Sequence, residues 1–497
     1  MKSNGEKMNK SKRIIVYIVI LVLIASLSIE AFTRASGLPF QYGLLVNSST
    51  LTLAGSDEVG TIASEEAAQF PSYWNNLVAV NSNWNALQCT TPIQISSLGS
   101  GAAIPALLSG TADIADLSRP PESTSSEWLN PNLNNMQTWA VGVDGIVIVL
   151  SPDMSWFPRN LNTAQVADLF ADTNPTANQN QGVTGNTGST PLYTTWGDFF
   201  IAENISTSGI SPYYLGENIN RVIMAPTSGV FDTFNNYFAV PNGYQFEYEN
   251  SGGTVTGSEN MAPYTYCQEN INVLEDLSEE TSSIGFVSFG FFQTYGSAMG
   301  MIGLNIAYNI AQPFAAGTND QSSLTSYVRP AVWGPYVKPT KTNILNAYMT
   351  TQTSDSYYAW NFLWEVTPSA IPGSDPLLET GVWISYMRAE NTTQGGTSDF
   401  VNDNGYVEMN LADYTGGHDV DSNLNPYTPL AGQTQEIPNG QVGSADFFYF
   451  VNAYIQYYGE NTYNPYADIL ANGHVNSADF FAFVDQYIAY FTTYYPT

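Results

Sequence analysis

The stretch "LGSGAAIPALLSGTADIADLSRP", residues 98–120, is the part of the sequence that decides the fold. It reads as a glycine-containing turn that opens a helix, followed by a short buried strand. Upstream, "LTLAGSDEVGTIASEEAAQF" (51–70) has the same order of strand, turn and helix. Downstream, "VGVDGIVIVL" (141–150) is the continuous apolar run of a strand that is buried on both faces. Strands that alternate with helices predict an α/β architecture.

The composition excludes some classes of partner. The chain has 497 residues, enough for two or three domains. Only 11% of them are charged, and 44 acidic against 13 basic residues give a formal net charge of −31. This charge repels nucleic acid and anionic lipid headgroups, so we expect neither as a partner of the folded part. Two explanations of the acidity stay open, namely solubility and life in acid, where many carboxylates are protonated.

The N-terminus has the pattern of an export signal. Five basic residues precede an apolar run from Ile14 to Ile29. We therefore expect residues 1–37 to be either a cleaved signal peptide or a retained membrane anchor, and the protein to work outside the cell or at its surface. Cys89 and Cys267 are the only cysteines; export permits a disulfide between them, but the sequence does not show that they meet.

Three turns of one kind favour an anion site. They lie at 55–59, 99–101 and 227–229, each before a helical run. Such turns direct unpaired backbone N–H groups to one point, and the helix dipole adds positive potential there. An ordinary helix cap is the better explanation of any single turn, whereas the ordered set indicates a shared oxyanion. The candidate ligand-binding residues are Ser56, Asp57, Glu58, Val59, Ser100, Gly101, Ser118, Arg119, Asp144, Thr227, Ser228 and Gly229.

Six segments, in this order, resemble the phosphate-type solute-binding proteins of ABC importers. They are "AGSDEVGTIA", "LGSGAAIPALLSGTADIADLSRP", "VGVDGIVIVLSP", "LNTAQVADLFADT" with "YTTWGDFF", "NRVIMAPTSGVFDTFNNYF" and "SSIGFVSFGFF". The resemblance spans about residues 51–292 and continues less clearly to 388. It implies an α/β, two-lobed, type II periplasmic-binding-protein-like fold with a hinge. It also implies an oxyanion ligand, with phosphate as the leading candidate, and an ABC permease as partner.

The resemblance further implies the limits of the domains. The binding domain is expected at residues 38–391, with a first lobe at about 51–142 and 288–391 and a second lobe at about 144–286. The segments "VGVDGI" and "SSIGFV" are the expected crossing strands, which implies that Asp144 lies near the cleft.

Two departures from the family pattern weaken the expectation of phosphate. Met224 stands where the third turn of the relatives carries an arginine, Val230 stands where they carry a threonine, and Arg221 is out of register. Losing a guanidinium removes a bidentate anion contact. Asp57 and Glu58 add acidic groups to the first turn, and a carboxylate there can select a protonated oxyanion by accepting its hydrogen. The alternative function is a non-transport surface protein that uses a degenerate binding fold for assembly.

The C-terminal region, 416–497, follows a linker at 392–415 and contains a repeat. "NGQVGSADFFYFVNAYIQY" from 439 is nearly copied by "NGHVNSADFFAFVDQYIAY" from 472. The second copy has the spacing of a calcium loop, except for a leucine at the third position, and a helix follows it. The candidate calcium ligands are Asp468, Asn472, Asn476 and Asp479, and, across an insertion in the first copy, Asp419, Asp421, Asn439 and Asp446.

Two such loop–helix units resemble the dockerin module, which implies docking to a partner on the cell surface. Two alternatives stay open: a metal-free pair of helices, and packing of the module against the binding domain. No enzyme is expected, because the only histidines, His418 and His474, both lie in this module. The α/β region therefore has no Ser–His or Cys–His pair.

Overall fold

One long strand, β4 (Met136–Leu150), belongs to both halves of the main sheet in the computed structural model. Every residue of β4 from Trp139 to Leu150 is buried, as its continuous apolar run predicts. Residues 136–145 pair with β14 (Trp360–Pro368), and residues 146–150 pair with β10 (Ser283–Ser288). Each pairing is antiparallel, and the change of partner occurs between Gly145 and Ile146.

The structure describes residues 51–80, 93–97, 99–119, 136–171, 191–225, 228–239, 264–308, 333–349, 355–368, 400–407, 444–460 and 474–494, with shorter pieces within 242–257, 380–387 and 464–470. The expected signal or anchor at 1–37, most of the linker, Cys89 and Thr227 lie outside these ranges. Four candidate calcium ligands, Asp419, Asp421, Asn439 and Asn472, also lie outside them. Within these ranges, no helix combines the length and the hydropathy that a membrane crossing requires.

The remaining strands in the described part of the chain are β1 Thr52–Gly55, β2 Gln94–Ser97, β3 Ile114–Leu117, β5 Asn160–Asn162, β6 Asn220–Met224, β7 Tyr248–Glu249, β8 Val255–Gly257, β9 Thr265–Cys267, β11 Ile302–Gly303, β12 Asn305–Ala307 and β13 Tyr336–Val337. The main sheet has the strand order β2-β1-β3-β14-β4-β10-β6-β9, with β11 also paired to β4. We call β2, β1, β3, β14 and residues 136–145 of β4 the first half-sheet. The second half-sheet consists of residues 146–150 of β4 with β10, β6, β9 and β11.

Twelve helices are found in the described part of the chain. They are α1 Asp57–Val80, α2 Ser100–Ser109, α3 Thr163–Phe170, α4 Trp196–Ala202, α5 Pro212–Leu215, α6 Gly229–Phe234, α7 Asn270–Glu279, α8 Phe289–Phe291, α9 Lys341–Met349, α10 Phe400–Asp403, α11 Ser444–Glu460 and α12 Ser477–Tyr494. Two π-helical turns, Asn235–Ala239 and Phe292–Gly296, continue α6 and α8. Parallel strands β1, β2 and β3 alternate with α1 and α2, so the α/β prediction is confirmed.

The chain returns to the first half-sheet later than the expected lobe limits. We expected the segment from residue 288 onward in the first lobe. Instead, β11 pairs with β4 at Leu150 and Val149, in the second half-sheet, and β12 pairs with β5. The next strand to join the first half-sheet is β14, which pairs with β3. This difference arises because β11 pairs with residues 149–150 of β4, in the part of β4 that belongs to the second half-sheet.

The two repeat helices pack against each other through aromatic side chains. The ring of Phe450 on α11 lies 5.8 Å from that of Phe483 and 6.0 Å from that of Phe480, both on α12. The buried rings of the repeat helices belong to the same hydrophobic core as Tyr73 on α1. Burial, followed by the charge of Asp468, raises the pKa of Tyr73. Of the alternatives left open by the sequence, the structure therefore favours packing of the module against the α/β region.

Three carboxyl groups lie in the core of the first half-sheet. Glu66 on α1, Asp116 on β3 and Glu365 on β14 are each 0% exposed, and Asp116 lies directly opposite Glu365 in the β3–β14 ladder. The indole Nε1 of Trp383 donates to Glu365 Oε1 at 2.8 Å, whereas the carboxyl oxygens of Glu66 and Asp116 have no hydrogen-bond partner within the described ranges. Burial raises the pKa of all three groups, that of Glu365 to about 8. The neighbouring charges that affect them, Glu365 and Glu65, are acidic and raise the pKa of Glu66 and Asp116 further.

We expect these groups to make the fold more stable in acid. The pKa of Glu365 rises from an ordinary 4.5 to about 8, so its contribution is fully present below pH 4.5 and is lost as the pH rises through 8. Glu365→Gln keeps the shape of the side chain but cannot bind or release a proton. It is expected to lower the slope of the logarithm of the unfolding constant against pH by about one, which corresponds to one proton. Urea titrations over a pH series measure this slope. Glu275→Gln, at an exposed position of α7, is the control, and equal slopes for both variants would contradict the interpretation.

Candidate functional site

The first two predicted turns are joined through their backbones. Gly99 N donates to Gly55 O at 2.8 Å, and Ser56 N donates to Asp116 O at 2.8 Å. Gly55 has a φ of +146°, and a Cβ atom there would lie 2.0 Å from Asp116 O, so only glycine fits. The first turn is thereby fixed against the end of β3, immediately before Ser118.

The second turn and the end of β3 bring two hydroxyl groups together. Ser100 opens α2, and its Oγ accepts from Ser118 N at 3.1 Å and lies 3.2 Å from Ser118 Oγ. The N-cap residue of α2 is Gly99, so no side chain caps this helix. Gly101 follows Ser100 in the first turn. The N-terminus of a ten-residue helix and two hydroxyls therefore face one region.

The third turn approaches these hydroxyls from the second half-sheet. A Cβ atom on Gly229, the first residue of α6, would lie 2.3 Å from Ser118 Oγ and 2.9 Å from Ser100 Oγ. Ser228 caps α6 by accepting from Phe231 N at 3.1 Å. The structure thus brings Ser100, Ser118 and Gly229 together, and the two halves of the molecule touch at the predicted site.

Arg119 crosses the same boundary as an ion pair. Its Nε lies 2.6 Å from Asp232 Oδ2 on α6, and both side chains are buried. Asn361 on β14 adds a second crossing contact, because its Nδ2 donates to Ser118 O at 2.9 Å and to Thr233 Oγ1 at 3.2 Å. The positive charge at the site is therefore already balanced by a carboxylate of the protein.

The acidic residues of the first turn bind the other half of the molecule. Asp57 Oδ2 accepts from Asn270 N at 3.0 Å and from Asn270 Nδ2 at 3.1 Å, and Glu58 Oε1 accepts from Asn270 Nδ2 at 2.6 Å. Ser56 Oγ donates to Glu58 Oε2 and accepts from Glu58 N and Val59 N, so it caps α1 itself. Burial, and then the charge of Glu58, raise the pKa of Asp57 well above its ordinary value.

Asp144 lies with this acidic group rather than with the serines. Gly290 N donates to Asp144 Oδ1 at 3.2 Å, and burial raises the pKa of Asp144 to about 7. The nearby Ser288 hydroxyl lowers this pKa, and the Glu58 charge raises it. Ser288 also donates its backbone N–H to Asn270 Oδ1 at 2.8 Å. Asn270 is thus bonded to the first half-sheet through its amide NH₂ group and to the end of β10 through its carbonyl.

The departures from the family pattern are core residues. Met224 is 0% exposed and lies in β6, while Val230 is buried in α6. Val59 is likewise in the core, at 0% exposure. The guanidinium of Arg221 donates to three backbone carbonyls, those of Leu169, Ile219 and Tyr193. It therefore cannot replace a ligand-binding arginine, and burial lowers its pKa to about 10.

The structure adds four residues that the sequence did not single out, Asp232, Asn270, Ser288 and Asn361. Asn270 opens an amphipathic helix and Ser288 ends an apolar strand, which are local signals of a boundary but not of a contact. Cys267 is a buried free thiol whose Sγ donates to Asp276 Oδ2 at 3.1 Å. Cys89, the other cysteine, lies outside the described residues.

A family model described as a PBP superfamily domain matches residues 49–391. The chain belongs to this superfamily. No curated protein matches this chain.

Solved structures that are similar to this PBP superfamily protein include an ABC-type phosphate transport receptor from Vibrio cholerae, with 16% identity and a TM-score of 0.39 over 72% of this chain and 99% of that one. Another is a putative phosphate ABC transporter substrate-binding protein from Clostridium perfringens with bound phosphate, with 15% identity and a TM-score of 0.41 over 73% of this chain and 100% of that one.

Replacing Asn270 tests how the two halves are held together. Asn270→Ala removes the side-chain hydrogen bonds to Asp57, Glu58 and Ser288 and leaves buried polar groups without partners. We expect the free energy of unfolding to fall by about 3 kcal/mol, measured by urea denaturation. Asn220→Ala, which removes one exposed hydrogen bond to Thr281 O, is expected to cost less than about 1 kcal/mol. Equal losses for the two variants would contradict the importance of this contact.

Proposed function

We propose that the protein captures a small oxyanion outside the cell and delivers it to an ABC permease, with phosphate as the first candidate ligand. The observation that carries the proposal is the meeting of Ser100, Ser118 and Gly229 across the two halves of a PBP superfamily domain. Two hydroxyls 3.2 Å apart can donate to the same oxyanion. The uncapped N-terminus of α2 adds backbone donors beside them.

Capture by this site requires the two halves to move apart. Gly229 has no room for even a Cβ atom against Ser118, so a ligand enters only when α6 separates from the end of β3. The halves then close over the ligand, which is the hinge motion that binding proteins of two lobes use. After the halves separate, the bound oxyanion can replace the Asp232 carboxylate as the partner of the Arg119 guanidinium.

The acidic groups at the boundary between the halves support a preference for protonated oxyanions. Asp57, Glu58 and Asp144 are all buried near the boundary between the halves. An ionised carboxylate, the form that Asp144 with its pKa of about 7 takes as the pH rises through neutral, accepts a hydrogen from a protonated phosphate but repels an oxyanion without one. Phosphate keeps a proton near neutral pH and sulfate does not, so this chemistry favours phosphate over sulfate.

Calorimetric titration with phosphate, sulfate and molybdate, at acidic and at neutral pH, tests the proposal. We expect phosphate to bind with micromolar affinity or better, and Ser118→Ala to weaken binding roughly 10- to 100-fold, because a hydrogen bond to a charged ligand is lost. Ser109→Ala, at an exposed position of α2, is the matched control. Silence with all three anions at both pH values would overturn the oxyanion function.

We further propose that the protein is exported and that it performs no catalysis. Its support is the basic and apolar N-terminal segment and the two histidines, both of which lie in the C-terminal module. Residues 1–37 are either a cleaved signal peptide or a retained membrane anchor. Mass spectrometry of the mature N-terminus distinguishes the two.

Surface assembly is a second candidate function, and the repeat favours it. Phe448 and Ile455 on α11 are 64% and 53% exposed, and the equivalent Phe481 and Ile488 on α12 are each 52% exposed. Apolar side chains exposed at matching positions of two related helices suit a protein partner at the cell surface. This role is compatible with anion capture, because the exposed side chains lie on other elements than the candidate site.

We also propose that calcium binds the second repeat loop. Asp468 and Asp479 are buried close together, and burial followed by the charge of Asp468 raises the pKa of Asp479 to about 8. The oxygens of Asp479 accept from Leu470 N and Asn476 N, so the loop folds around this carboxyl group. The described part of the loop alone does not bring three acidic, histidine or cysteine side chains into a metal-binding group. Asn472, which lies outside it, is needed to complete the ligand set.

Calcium is expected to stabilise the full chain. At a concentration 100 times its dissociation constant, the ion would raise the free energy of unfolding by about 2.7 kcal/mol, which thermal denaturation detects. Asp479→Asn is expected to abolish the effect, and Asp485→Asn, exposed on the same helix, to leave it unchanged. No shift at millimolar calcium would contradict the metal site.

A further inference from the structure

A short segment beyond the matched domain returns to the centre of the binding fold. Residues 400–407 lie outside the family match at 49–391 and within the stretch that we expected to be a linker. Val407 N donates to Val143 O and Val143 N donates to Val407 O, both at 2.9 Å. This antiparallel bridge adds residue 407 to the edge of β4 just below the point where β10 ends.

The same segment contacts α1, which follows β1 of the first half-sheet, and the residues that follow β10 of the second half-sheet. Asn404 Nδ2 donates to Glu65 Oε2 on α1 at 3.0 Å, and Thr294 Oγ1, after β10, donates to Asn404 O at 3.2 Å. Gly405 has a φ of +88°, and a Cβ atom there would lie 2.7 Å from Gly290 O. Glycine adopts this left-handed conformation without strain and leaves room for Gly290, so the chain can turn here between α1 and the segment after β10.

Tyr406 projects from this segment into the polar boundary between the halves. Its side chain is buried, and the ring lies so close to Gly290 that a Cβ atom there would be 2.2 Å from Cε1. Its hydroxyl lies near Asp144, Glu58 and Ser288. Among the described residues, neither this hydroxyl nor that of Ser288 has a well-oriented hydrogen-bond partner, so the observed contact is made by the ring.

We propose that residues 400–407 form a strap that holds the two halves of the binding domain together, with Tyr406 as a positioning residue at their boundary. The strap is bonded to α1 through Asn404, to β4 through Val407, and to the segment after β10 through Asn404 and the Gly290 contact. A separation of the halves that moves α1 away from Gly290 must break or bend the strap. The strap therefore favours the arrangement in which Asp57 and Glu58 reach Asn270.

This inference goes beyond the proposed function and is testable without a ligand. Amide hydrogen exchange of the full chain reports the contact between the halves at Asn270 N, which donates to Asp57. Val407→Pro removes one of the two bridge hydrogen bonds and disfavours the second, so exchange at Asn270 and Val143 is expected to speed up about tenfold, the factor that corresponds to roughly one net hydrogen bond. Val407→Ile keeps both bonds and is the control at the same position.

Two milder variants test the strap if Val407→Pro does not fold. Asn404→Ala removes the bond to α1, and Tyr406→Phe removes only the hydroxyl. Asn404→Ala is expected to speed up exchange at Asn270 several-fold, roughly the effect of one weak hydrogen bond. Tyr406→Phe is expected to keep exchange within about twofold, because the ring packing is retained, and Tyr336→Phe at an exposed position serves as its comparison.

The outcomes separate the strap from other roles of the segment. Faster exchange at Asn270 and Val143, with unchanged exchange in the ladder between β10 and β4, supports the proposal. Faster exchange at Val143 alone would overturn it, because the segment would then only cover the edge of β4. A uniform increase that includes the β10–β4 ladder would also overturn it. A protein that binds no phosphate at all would still give these results, so failure of the proposed function is distinguishable.

Discussion

The rest of the structure depends on one strand that is shared by two half-sheets. Because β4 pairs with β14 up to Gly145 and with β10 from Ile146 onward, the halves share one continuous strand and are not joined only by a loop. A Cβ atom on Gly145 would lie 2.7 Å from Ile344 Cδ1, so the change of partner occurs where the backbone has close neighbours. Any relative movement of the halves therefore bends a hydrogen-bonded strand, which limits both its direction and its extent.

Carboxyl groups, and not cations, dominate the boundary on either side of this strand. Asp57, Glu58 and Asp144 are buried there, and the one arginine among the predicted site residues is paired with Asp232. Backbone N–H groups and serine hydroxyls supply the remaining donors. A site with this balance binds negative charge most easily together with a proton, which connects ligand preference with the pH of the surroundings.

The parts that the sequence predicted well are those with local causes. The turns at 55–59 and 99–101 are specified by glycine and hydroxyl residues directly before apolar helices, and these signals lie within a few residues of the structure that they produce. The return of the chain to the first half-sheet was not predictable in this way. Strand β11 has only two residues, too few for a sequence pattern that indicates a partner, and only its pairing with β4 places it in the second half-sheet.

Contacts between distant parts of the chain were also beyond local reasoning. Asp57 and Asn270 are separated by 213 residues, and neither neighbourhood contains a pattern that points to the other. The sequence shows only that Arg221 is out of register with the missing family arginine, whereas its three bonds to backbone carbonyls give it a structural role. Tyr406 lies in a stretch whose composition is typical of a linker, and its burial follows from the bridge to Val143.

The buried carboxyl groups of the first half-sheet also bear on where in a cell this chain can fold. In a neutral compartment Glu66, Asp116 and Glu365 favour the ionised, solvated and therefore unfolded state, while in an acidic one they enter the core without that cost. Across a membrane that carries a proton gradient, the same sequence is therefore expected to form a more stable fold on the acidic side than on the neutral side.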